Sequence, residues 1–194
     1  MNIKERVKGL VVDPKVEWRA IDAEEHTVQS LYTRYVMILA AIPAVAGFIG
    51  MCIVGSGMFG ATVRMPLAAG VAHMVLGYLL SLGWVYALAL VIQAFAPKFD
   101  GHGEFIDALK VAAFTATPAW VGGIFNLIPS LWIIGFLLSL YSLYLLYIGL
   151  PILTEPPQEK ALPYFFVVLL TIIVLTVGFY VVAALMIPAP LRGF

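Results

Sequence analysis

Charge is what this chain lacks. Between Arg34 and Gly193 it runs four times without a single Asp, Glu, Lys or Arg: Tyr35–Val63, Met65–Pro97, Val111–Thr154 and Ala161–Leu191, stretches of 29, 33, 44 and 31 residues. Only 11% of its residues are charged, against about 25% in a soluble domain. A helix needs roughly 20 apolar residues to cross a hydrocarbon core of about 30 Å, so each stretch can span a membrane and the third can span it twice. The single cysteine, Cys52, excludes an internal disulfide. Zero net charge removes whole-chain attraction to nucleic acid, which is not expected as a partner. Catalytic signatures are missing too: there is no Gly-x-Ser-x-Gly, His-Glu-x-x-His, phosphate loop or Cys-x-x-Cys, and His26, His73 and His102 are scattered. We therefore expect neither an enzyme nor a cofactor. The first apolar stretch opens after 34 fairly polar residues, too late for a cleaved signal peptide.

The third stretch sets the number of spans. As one helix its 44 residues would run about 66 Å, twice the hydrocarbon thickness. Asn126-Leu127-Ile128-Pro129-Ser130 interrupts it: Pro129 lacks a backbone donor and pushes Ile128 out of the helical region. Asn126 suits a helix C-cap. The expected fold is all-α, a polytopic bundle of five helices near 33–55, 70–95, 110–127, 131–150 and 163–187. An amphipathic tail over 1–32 precedes it, and a short tail over 188–194 follows on the far side.

Five spans put the termini on opposite sides. Lys4, Arg6, Lys8, Lys15, Arg19, Arg34, Lys98, Lys110 and Lys160 fall on the N-terminal side, against Arg64 and Arg192 on the other. All 11 acidic residues share the side of the nine. Lys and Arg mark the cytoplasmic face, so the N-terminus is expected in the cytoplasm and the far face carries only short loops.

In the tail, Ile3, Val7, Leu10 and Val11 follow helical spacing. Asp13-Pro14 reads as an N-cap with proline at the first helical position. Trp18 and Ile21 then share a face beside Lys15 and Arg19. Such a helix can lie in the headgroup region and contact lipid or a partner, or pack on the protein's own cytoplasmic surface. Between spans two and three, Asp100, His102 and Glu104, with Asp107 close by, offer weak candidates for a divalent metal. Their spacing matches no named motif, and a solvated glycine-rich loop capping span three is the competing reading.

Inside the expected spans, away from Arg34 and Lys110 at their ends, no carboxylate or amine is present, which argues against a proton-coupled pump. The small pairs Ala40/Ala44, Gly77/Ser81, Ala112/Ala116 and Ala119/Gly123 suit close helix packing. Thr117-Pro118 and Pro43 should kink their helices. A kinked third span beside Asn126 could line a cavity, with Thr115, Thr117, Pro118 and Asn126 facing the Tyr141/Tyr144 stripe of span four. His73 is expected as a neutral histidine near the membrane edge.

Several segments resemble the Yip (Ypt-interacting protein) family. They are Ala116-Thr117-Pro118 leading into Gly123-Ile124-Phe125-Asn126-Leu127-Ile128-Pro129-Ser130-Leu131, the run from Tyr141 to Pro151, and Asp13-Pro14 with Trp18 and Ile21. Phe99-Asp100-Gly101 stands where bacterial members often carry Phe-Gly-Gly, and Asp100 departs from that pattern. The resemblance implies five spans and a cytoplasmic N-terminus. Eukaryotic relatives are tied to Rab GTPases and vesicle traffic, but the short tail is similar to bacterial members, so Rab binding is not carried over. It also implies no catalytic residue and, joined to the missing long extensions, a bacterial cytoplasmic (inner) membrane. Two functions follow as expectations. One is a membrane-organising or adaptor protein binding lipid, another membrane protein or copies of itself. The other is a small transporter, channel or lipid-handling protein.

Overall fold

The computed structural model describes residues 2–58 and 61–186. Two short helices, α1 (Ile3–Val12) and α2 (Pro14–Ala23), precede five helices long and apolar enough to cross a membrane. These are span one (Val28–Val54), span two (Leu67–Phe99), span three (Phe105–Leu127), span four (Pro129–Thr154) and span five (Gln158–Ala184). The fold is thus the expected all-α membrane bundle. Between spans one and two lies a small antiparallel hairpin that periodicity does not reveal, Ser56–Met58 paired with Ala61–Val63.

Local chemistry explains the punctuation. The Asp13 side chain accepts from the Val16 N–H at 3.3 Å, with Pro14 first in α2. Thr27 and Ser30 cap each other reciprocally, which starts the helix of span one at Val28. Span three breaks at Ala116, just before Thr117-Pro118, and resumes as Thr117–Gly122. Ile128 is extended (φ −122°, ψ 101°), as Pro129 demands, and separates spans three and four. Ile128, whose N–H bonds the Phe125 carbonyl, is the residue closing span three, so Asn126 is not its C-cap. A final 3-10 segment over Gly123–Leu127 satisfies the chain first.

Span three is the centre, packed by spans one, two and four, while span five leans on span two. The buried core runs through Tyr35, Leu88, Ile92, Leu109, Phe114, Leu145 and Leu146. It also takes in the tail. Leu10, Trp18 and Ile21 are fully buried. Trp18 fills a notch over Gly149, where an added Cβ would meet the indole at 2.3 Å. Its ring meets Phe114 edge-on at 6.2 Å. The expectation that Trp18 and Ile21 present a lipid or partner surface is therefore corrected. Facing the bundle removes more apolar area from water than lying on the bilayer edge. Lys15, Arg19 and Val11 stay exposed.

Candidate functional site

The intramembrane residues singled out from sequence do not form one cavity. Thr117 Oγ1 and the Tyr35 hydroxyl are 2.6 Å apart and buried, tying span three to span one. Thr115 is buried with an unpartnered hydroxyl, and buried Pro118 serves the helix restart. The Asn126 carbonyl lies where a Cβ on Gly50 would be, 1.9 Å away, so the two spans meet backbone to backbone. Tyr141 points elsewhere: its hydroxyl donates to the carbonyls of Leu10 and Val11 at 3.1 and 3.2 Å. Tyr144, 5.5 Å from Tyr141, is exposed on the outside of the bundle. Tyr164 donates to the Ile92 carbonyl at 2.7 Å, joining spans five and two. Most of these polar groups are spent as helix-to-helix fasteners, which hydrocarbon favours because it offers no alternative partner.

A lateral cleft of about 460 Å³ does open between spans one and two. Ala40, Ala44, Gly77 and Ser81 line it, so these small residues leave space there instead of closing the helices together. His73 and Trp120 also face it.

The loop carrying Asp100, His102 and Glu104 is bound into its surroundings. Asp100 pairs with Lys160, and His102 Nδ1 sits 3.3 Å from Glu155 Oε2. Glu104 is the residue before span three. Among the described residues no group of three or more His, Cys, Asp or Glu could hold a metal, so the loop metal candidate is corrected. Asp100 has found a cation on a neighbouring segment instead, and His102 faces the carboxylate of Glu155. The Asp100 departure also acquires a reason. Its φ is 56°, a left-handed conformation that suits glycine first and tolerates aspartate. Gly101 next to it cannot change, since a Cβ would lie 2.6 Å from the Thr154 carbonyl oxygen.

An ionic cluster under the tail was not anticipated. Arg6, only 6% exposed, bonds Glu17 at 2.6 Å and also pairs with Glu24. Its guanidinium lies 5.7 Å from the Phe114 ring centroid. The clue was in the spacing: Arg6 shares a helix face with Ile3, Val7 and Leu10. Lys110, buried inside span three, donates to the Asp22 carbonyl at 3.3 Å and to Asp107 at 3.2 Å. Span three starts at Phe105, earlier than the expected 110, and so takes in Asp107 as well as Lys110 at its loop end. Burial opposes ionisation of Glu24, but hydrogen bonding and charge from Arg6, with help from His26, hold its pKa below the ordinary value. Burial pushes the His26 pKa down, against the attraction of Glu24. His26 Nε2 stands 3.2 Å from Glu24 Oε2 without hydrogen-bond alignment.

On the outer side of α2, Lys15 and Arg19 overhang a groove of about 370 Å³ against spans four and five.

With this architecture in hand, the sequence matches the family model of the Yip1 domain over residues 8–181. The chain belongs to the Yip family. The match takes in α2 and all of spans one to four. Inner membrane protein YohC of Escherichia coli K12 is 30% identical over 162 residues, covering 81% of this chain and 83% of YohC. The protein of that name in E. coli O6:H1 matches equally. No solved structure matches.

Proposed function

We propose that this Yip-family protein is a non-enzymatic organiser or adaptor of the bacterial inner membrane. Its N-terminus lies in the cytoplasm, and it acts through contacts with lipid and with other membrane proteins. One observation carries the reading. Among the described residues the hydroxyls of Tyr35, Thr117, Tyr141 and Tyr164 are used in joining elements of the bundle and do not line a path for a solute. The outward faces of spans two and five remain apolar, with Leu79, Leu90, Leu170 and Val174 exposed. Similarity to an inner membrane protein and the nine-to-two bias of Lys and Arg support the address and orientation. Purification in mild detergent followed by mass spectrometry should recover a defined lipid or membrane protein with the chain. Proteoliposomes should pass ions and small solutes no faster than empty vesicles, and protein-dependent flux would overturn the proposal. Reporter tags at the two ends should read from opposite compartments.

The cleft beside His73 favours lipid handling as a second reading. Filling it with Gly77→Leu, a position with nothing within 4 Å of an added Cβ, should abolish lipid transfer between leaflets if that is the activity. Unchanged transfer would dismiss it.

A further inference from the structure

We infer that the groove beneath Lys15 and Arg19 is a binding site for one anionic phospholipid of the cytoplasmic leaflet. This deepens the proposed function and rests on its orientation. Lys15 and Arg19 are one turn apart on α2, both exposed, and both border the groove. Among the described residues neither has an ion-pair or hydrogen-bond partner, whereas Arg6, Lys110 and Lys160 all do. No carboxylate borders the groove. Its far wall starts at Gln158, the first residue of the helix Gln158–Met186. The N–H groups of Lys160 and Ala161 there already bond the Pro157 carbonyl, and Glu159 stands in the first turn, so the attraction rests on the two cations. The two cations over the groove are thus left for an anion, with Glu159 outside its lining.

The floor selects a lipid over a free anion. Tyr147, Ile152 and Leu162 border the groove, with Tyr147 and Leu162 about half exposed. Ile152 and Tyr147 lie two and seven residues before the end of span four at Thr154, or about 3 and 10 Å at 1.5 Å per residue. With the end of span four at the headgroup level, these positions match the depth at which headgroup gives way to acyl chain. Tyr147 meets Phe165 edge-on at 5.5 Å, extending an apolar track from the cations towards the hydrocarbon. Basic pockets between helices on the cytoplasmic side bind anionic headgroups in this way. Trp18 and Ile21, turned inward, hold α2 so that the two cations stay over the groove.

The test uses the full chain in nanodiscs of equal parts phosphatidylglycerol and phosphatidylcholine, with retained lipid counted by native mass spectrometry. Wild type should hold phosphatidylglycerol in preference, near one per chain. The double variant Lys15→Gln/Arg19→Gln should lose at least threefold of it. Lys4→Gln/Lys8→Gln, which removes the same charge from exposed positions on α1, should retain it. Equal loss in both doubles, or no preference in wild type, would overturn the site. Inorganic phosphate at about 10 mM, well below the physiological ionic strength of about 0.15 M, should leave the lipid bound; complete displacement would make it a free-anion site and end the lipid assignment. Failure here with another lipid or protein still co-purifying leaves the organiser reading intact. Solute flux in proteoliposomes sinks that reading without touching this one.

Discussion

Spans three and five are built from opposite materials and occupy opposite places. Span three is the least apolar of the five and span five the most, yet 78% of the apolar stretch of span three is buried and only 6% of that of span five. In water the order would be reversed, because burial follows apolar area. In lipid the outer helix meets a solvent as apolar as leucine, and helices associate through close packing and hydrogen bonds. Span three supplies those: Thr117 for Tyr35, Lys110 for Asp22, and Gly123 against Pro43. Span five supplies side chains for lipid, and one buried tyrosine that reaches inward.

The contrast can be broken most severely from outside span three. Trp18→Ala should uncover Phe114 and empty the notch over Gly149, at a cost of about 3–5 kcal/mol. Thermal unfolding in detergent checks it, and a loss below about 1 kcal/mol would mean that α2 is not part of the core. Thr117→Val leaves the buried Tyr35 hydroxyl unpaired and should cost about 1–3 kcal/mol, read in the same assay. Acidification comes next. His26 and Glu24 both have folded pKa values below their ordinary ones. Each contribution is present above the ordinary value and lost as pH falls through the folded one. The melting temperature should therefore drop from neutral pH downward, first through His26 and then through Glu24. His26→Asn should flatten the first part of that fall.

The lipid side should respond far less. Val174→Ala on span five, 62% exposed, should change stability by less than about 0.5 kcal/mol. Asp100→Gly should be nearly neutral, within about 0.5 kcal/mol, since relief at φ 56° offsets the lost pair with Lys160. Asp100→Ala, which gains no relief, should be clearly worse in the same melting experiment.

Much of the fold was legible because lipid imposes a length rule that charge-free runs obey. The two proline breaks, the Asp13-Pro14 cap and the family were legible because they rest on neighbours in the chain. The candidate sites were not. Thr117 and Tyr141 lie on different faces of the bundle, and only packing says which partner each hydroxyl meets. Arg6 was discoverable from its place on the apolar face of α1, but its partners Glu17 and Glu24 depend on how α2 folds back. The loop residues looked like metal ligands until Lys160 met Asp100 and Glu155 met His102 from other segments.

From residues alone came the solvent of this protein, its helical class, its five crossings and its family, since each depends on runs and signals contiguous in the chain. Tertiary structure alone decided that Leu10, Trp18 and Ile21 of the tail join the core, that the small residues of spans one and two leave a cleft, and that Lys15 and Arg19 stand over a groove. Those outcomes depend on which surfaces meet, and hydrocarbon rewards whichever pairing satisfies the most polar groups.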